Sequence, residues 1–250
     1  MRLSRLLAAT TLAVALPFAT HAATLTVSAA ASLTNAFKEL APSFSAEHPG
    51  TDVQLNFAAS GTLLQQIDQG APADVFASAD QATMDRAAEK SLIDPATRRD
   101  FVSNALVLIE PSDGGPGVDS LNGLTGDAVK RIAVGKPASV PAGRYTQEVL
   151  EKAGLWQTLE PKYVQADSVR QVLDYVARGE VDAGFVYRTD AAIMSDKVKV
   201  TLTPEGQTPV TYPVAVVAAS REPDLAKAFV EFLGTPAART VLEKYGFGQP

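Results

Sequence analysis

Four serines stand where an apolar, strand-like run hands over to a helix-like one: Ser32 in "SAAASLTNAF", Ser60 in "AASGTLLQQI", Ser139 in "PASVPAGRY" and Ser168 in "DSVRQVL". A helix start presents unpaired backbone N–H groups and the positive end of the helix dipole, so several starts converging on one point form an anion site. Serine is also a favoured N-cap on its own account, and Ser139 and Ser168 read as caps. Ser32 and Ser60 differ in context. Each lies in a run of small residues, "AAAS" and "AASG", that leaves room for a ligand against the backbone.

Other chemistry is thinly supplied. There is no cysteine, which removes disulfides and thiolate metal sites. Of the two histidines, His21 and His48, only the second lies beyond the N-terminal apolar stretch, and one histidine does not make the usual zinc site or a triad. Asp74, Asp80, Asp167 and Asp190 remain, and no pattern pairs two of them for acid/base work, so the sequence gives an enzyme reading no machinery and no metal site. The glycine-rich stretch at 111–126 has neither a phosphate-loop lysine nor GxGxxG spacing and reads as an exposed insertion.

The N-terminus sets the compartment. Arg2 and Arg5 precede "LLAATTLAVALPFA", which ends in the small-residue stretch Thr20-His21-Ala22-Ala23. A basic start, an apolar middle too short to span a bilayer and a small-residue end describe a secretory signal peptide over 1–22. Its removal takes two arginines and no acid, moving the formal charge from −6 to −8. An acidic chain is a poor partner for nucleic acid or an anionic membrane.

The elements that must position the serines follow from periodicity. "TLTVSA" is a β-branched run, "TNAFKELAPSF" carries Ala36, Phe37, Leu40 and Phe44 at helical spacing, and "DVQLNF" alternates Val53, Leu55 and Phe57 against polar residues. A helix closed by Gly70, the strand "ADVFASA", the helix "QATMDRAAEK" and the strand "NALVLIE" come next. "RIAVG", the helix "YTQEVLEKAG" and the helix "SVRQVLDYVARG" follow the loop. "VDAGFVY", "VKVTLT" and "YPVAVVAA" supply strands, and "DLAKAFVEFLG" and "PAARTVLEKYG" close the chain. This alternation predicts an α/β protein with mostly parallel sheets, whose ligands gather at the carboxyl ends of the strands.

"AAASLTNAF", "FAASGTLLQQI", "GAPADVFASADQATMD", "AVGKPASVPAGRY", "FVYRTDA", "YPVAVV" and the terminal "YGF" together resemble the periplasmic molybdate-binding proteins of bacterial molybdate ABC transporters, over essentially the whole chain beyond the signal. The resemblance implies the type II periplasmic-binding-protein fold: two α/β domains joined by two crossover strands, with an oxyanion held in the cleft. It assigns 23–103 with 215–250 to domain I and 104–214 to domain II. It implies ligand contacts from Ser32 and Ser60 through hydroxyl and backbone N–H, from the backbone N–H groups of Ala142 and Val169, and from the Tyr187 hydroxyl. The implied ligand is molybdate or tungstate, with no cofactor and with molybdenum bound only as the oxyanion. The implied partner is the membrane permease of the transporter, served by a periplasmic monomer. Arg144 stands beside this set as an added positive charge at the rim or as a plain surface arginine. A receptor for another tetrahedral oxyanion, such as sulfate, is the alternative on the same fold.

Overall fold

The computed structural model describes residues 23–250; the signal peptide expected over 1–22 lies outside them. Strand β1 (Ala23–Ala30) runs through a short 3-10 turn into helix α1 (Thr34–Glu47), which returns the chain to β2 (Thr51–Ala58), parallel to β1. Helix α2 (Ser60–Asp68), strand β3 (Val75–Ala77), helix α3 (Gln81–Glu89) and strand β4 (Arg99–Asn104) follow. β10 (Val210–Val216) inserts between β3 and β4, giving the first sheet the order β2-β1-β3-β10-β4.

The second sheet, β7-β6-β8-β5-β9, takes all its strands from the intervening chain. These are β5 (Leu106–Pro111), β6 (Ile132–Gly135), β7 (Tyr163–Ala166), β8 (Ala183–Tyr187) and β9 (Val198–Leu202). Helices α4 (Pro141–Lys152), α5 (Trp156–Leu159), α6 (Val169–Ala177) and α7 (Arg188–Ile193) connect them. The chain passes between the sheets at Ala105 and again between Leu202 and Val210. Two mixed α/β sheets with two crossings are the type II periplasmic-binding-protein arrangement; the part built on each sheet is called a lobe below.

Burial explains the elements. β2 is an edge strand, and its half-buried Val53, Leu55 and Phe57 alternate with exposed Asp52, Gln54 and Asn56, whereas the inner half of β1 is continuously buried. In α6 the buried stripe is Val169, Val172, Leu173 and Val176, the helical face read from the sequence. Helices α8 (Pro223–Phe232) and α9 (Pro236–Lys244) close the chain on the first lobe, where Phe229 meets Phe37 and Phe44 edge to face at 6.0 and 5.1 Å.

Three expectations change. The sheets are mixed, not mostly parallel: β10 runs antiparallel to β3 and β4, and β5 antiparallel to β8 and β9. "NALVLIE" is not one strand, because Ala105 ends β4 before β5 begins, and "RDFVSN" is a strand that the sequence pattern did not mark. The glycine-rich stretch is anchored rather than a free insertion. The buried Glu110 carboxylate accepts from the N–H groups of Gly117 and Val118 at 2.8 and 2.7 Å, and Val118 and Leu124 are buried in the core.

Candidate functional site

Each predicted residue sits at the carboxyl end of a strand. Ser32 lies in the 3-10 turn after β1, and Ser60 is the first residue of α2 after β2. Ala142 is the second residue of α4 after β6, Val169 the first of α6 after β7, and Tyr187 the last of β8. All five line one small cavity of about 10 Å³, with Ser32 and Ser60 from the first lobe and the other three from the second. No charged side chain is among its walls. Helices α1, α2, α4 and α6 carry no acid in the first turn, so nothing there cancels their dipoles.

Neither cavity serine is spent on a cap. The N-cap positions before the 3-10 turn, α1 and α2 are Ala30, Leu33 and Ala59, none with a side-chain cap bond. Ser60 Oγ instead accepts the Ala79 N–H at 3.0 Å, which leaves its own proton free for the cavity. Ser32 Oγ lies 3.0 Å from the Tyr212 hydroxyl. The Asn104 amide is oriented by Ala105, whose N–H donates to Oδ1 at 2.9 Å, so its Nδ2 donates to the Tyr212 oxygen at 3.2 Å. The chain of donors is satisfied when the phenol donates to Ser32 and Ser32 donates into the cavity.

Tyr187 is buried, and its hydroxyl donates to the Ala79 carbonyl over a long 3.3 Å. That single proton can serve Ala79 or an anion oxygen, one at a time. Burial holds the phenols of both Tyr187 and Tyr212 well above their ordinary 10.0, so both are neutral donors. Ala142 and Val169 contribute main chain: residues at a helix start have no intrahelical acceptor for their N–H. The close packing of α4 on β6 depends on Gly143, where a Cβ would overlap the Gly135 carbonyl.

Several neighbours behave otherwise than the sequence predicts. Ser168 does cap α6, accepting the Gln171 N–H at 3.2 Å, but Ser139 caps nothing; α4 starts after Val140. The Ser139 carbonyl instead accepts the Gly61 N–H across the cleft at 2.9 Å, and Gly61 is needed there because a Cβ would come within 2.7 Å of that oxygen. Arg144 is neither a rim charge nor a plain surface arginine. Its guanidinium bonds Asp80, Thr83 and the Pro137 carbonyl. Tyr212, Asn104 and the Ala79 peptide were missed; "YPVAVV" was visible as a motif, with nothing in it to mark the tyrosine as a partner of Ser32.

The remaining candidates are structural. A wider, solvent-open cleft of about 740 Å³ beside Asp74 contains none of the five residues. The Asp74 carboxylate is already engaged by the N–H groups of Thr26 and Arg221 and the Ser220 hydroxyl. Among the described residues no cluster of three or more histidines and carboxylates could hold a metal ion, and no helix is long and apolar enough to cross a membrane.

Comparison with known proteins places this architecture. Residues 25–248 match the family model of bacterial extracellular solute-binding proteins. The molybdate-binding protein ModA of Escherichia coli is 44% identical over 233 residues, 89% of this chain and 88% of that protein. The solved substrate-binding domain of a putative molybdenum ABC transporter from Clostridium difficile is 40% identical with a TM-score of 0.68, covering 91% of this chain and 99% of that one. The periplasmic molybdate-binding protein of Azotobacter vinelandii superposes with a TM-score of 0.78 at 26% identity, covering 90% of this chain and 99% of that one. The chain belongs to the bacterial extracellular solute-binding proteins and, within them, to the molybdate-binding protein family.

Proposed function

We propose that this protein captures molybdate, and equally tungstate, in the cavity at Ser32, Ser60, Ala142, Val169 and Tyr187, and delivers it in the periplasm, as a monomer, to the membrane permease of an ABC transporter. The observation that carries the reading is the convergence of four helix starts and two uncapped serine hydroxyls on one small cavity without a charged wall. Hydrogen bonds to a charged acceptor contribute roughly 1.5–3 kcal/mol each, so a handful of fixed neutral donors suffices to hold a dianion. The ligand is bound and released unchanged. The lobes correspond to 23–103 with 215–250 and 104–214, a division that the strand order supports to within a few residues, since β10 begins at Val210.

Selectivity follows from the donors. A protonated oxyanion finds few acceptors among them: the Ala79 carbonyl is reached only by displacing Tyr187, and each serine oxygen already accepts one bond when its own proton serves the anion. Hydrogen phosphate is therefore disfavoured against a fully ionised dianion. Sulfate carries the same charge on shorter bonds and does not reach donors spaced for the larger ion. Because the five contacts come from both lobes, the anion stabilises the closed arrangement by bridging them.

The test is a thermal-shift titration of residues 23–250 with molybdate, tungstate, sulfate, phosphate and nitrate, since a ligand that binds only the folded state raises its melting temperature. Molybdate and tungstate should stabilise at concentrations where sulfate does nothing. An equal response to sulfate would make the protein a general oxyanion receptor, and no response to any anion would remove the assignment.

A further inference from the structure

We propose that Arg144 and Arg170 are positioning residues, two latches that hold the walls of the cavity together across the cleft without touching the anion. The proposal rests on the reading of that cavity as the anion site. Each arginine stands in the first turns of a helix whose start lines the cavity: Arg144 follows Ala142 by two residues, and Arg170 follows Val169 directly.

Each guanidinium is anchored on its own lobe and reaches to the other. Arg144 donates to the Pro137 carbonyl at 2.8 Å on its own side, and across the cleft to Asp80 Oδ2 at 2.7 Å from Nε and to Thr83 Oγ1 at 2.7 Å. Asp80 follows Ala79, the residue whose N–H holds Ser60 and whose carbonyl accepts from Tyr187, so this latch fixes a wall of the cavity. Arg170 is anchored by Asp190 Oδ1 at 2.5 Å and crosses to Asn35 Oδ1 at 2.8 Å and to the Ser32 carbonyl at 3.3 Å. It fixes the peptide of the other cavity serine.

The two latches differ in electrostatics. In the first, the ion pair itself spans the cleft, and its side chains are 23% and 5% exposed. In the second, the ion pair with Asp190 lies within one lobe, 22% and 0% exposed, and only neutral acceptors are reached across the cleft. Opening the cleft therefore separates opposite charges at Arg144 but not at Arg170. Since these bonds run from protein to protein, they favour closure whether or not an anion is present, and they set how much of the closing free energy the anion must supply.

The chain contains no cysteine, so a single pair of introduced labels reports the lobe separation: Glu89→Cys on α3 and Glu151→Cys on α4, both exposed. Spin-label distances give the closed fraction without anion, and stopped-flow gives the molybdate off-rate. In Arg144→Ala and Asn35→Ala the closed-to-open ratio should fall about tenfold, with an off-rate faster by a similar factor. The molybdate-to-sulfate preference should be unchanged and Arg144→Lys should restore part of the loss. Raising salt from about 0.05 to 0.5 M should open the wild type and the Asn35 variant but have little effect on the Arg144 variant. Asp80→Asn, which keeps the side-chain cap of α3, carries the same test if Arg144→Ala does not fold. An unchanged closed fraction and off-rate in folded variants would overturn the latches. A wild type that ignores molybdate would instead remove the functional reading, and the anion-free distances would still decide the latches.

Discussion

Ser32 and Tyr212, 180 residues apart in the chain, share a buried hydroxyl-to-hydroxyl hydrogen bond of 3.0 Å. It fixes the direction in which a cavity serine can donate. Tyr212→Phe removes the donor to Ser32 and one of the two acceptors of the Asn104 amide, which keeps its bond to Thr189. Molybdate affinity should fall about fivefold and stability by about 1 kcal/mol, read by calorimetric titration and thermal unfolding. An unaltered affinity would show that Ser32 needs no orientation.

Removing either cavity serine should lower both binding and stability. Ser32→Ala and Ser60→Ala each delete one hydrogen bond to a charged acceptor, expected to cost about 10- to 100-fold in affinity. Ser60→Ala also leaves the buried Ala79 N–H without its acceptor and Ser32→Ala the buried Tyr212 hydroxyl, so both should melt at a lower temperature than wild type even without anion. Wild-type affinity in the double variant would dismiss the serines as ligands.

Gly61→Ala should move stability and affinity in opposite directions. Alanine suits a helix better than glycine by about 0.8–1.0 kcal/mol, so α2 itself should not weaken. The new Cβ meets the Ser139 backbone across the cleft at 2.7 Å and props the lobes apart. Affinity should drop at least about tenfold with an unchanged or raised melting temperature; retention of full affinity would mean that the cleft closes by another path.

Tight binding should be flat from neutral pH up to about pH 9, because burial keeps the phenols of Tyr187 and Tyr212 protonated well past their ordinary 10.0. Stability should change above that range. Below pH 10 both native and unfolded tyrosines are neutral; above it the unfolded chain loses those protons first, so native stability falls as pH rises. Denaturant titrations at increasing pH read this directly, and Tyr212→Phe should soften the decline.

Much of the architecture was legible because burial leaves a period. The α6 stripe at Val169, Val172, Leu173 and Val176 and the alternation at Val53, Leu55 and Phe57 follow from which face meets the core. Strand direction left no such mark: β5 and β10 are apolar runs that read alike whether parallel or antiparallel. The break at Ala105 is likewise invisible in a run of strand formers. At the site, small residues around Ser32 and Ser60 suggested space, but Gly61 is small for the sake of the opposite backbone. Ala142 and Val169 offer only main chain, so only resemblance could single them out. Arg144 could not be read because its partners, Asp80 and Thr83, lie more than sixty residues earlier.

The return of β10 to the first sheet has a consequence for synthesis. Ser32 is made early, but the phenol that orients it arrives with β10, near the end of translation. A nascent or truncated chain that stops short of Tyr212 carries both cavity serines with one of them undirected.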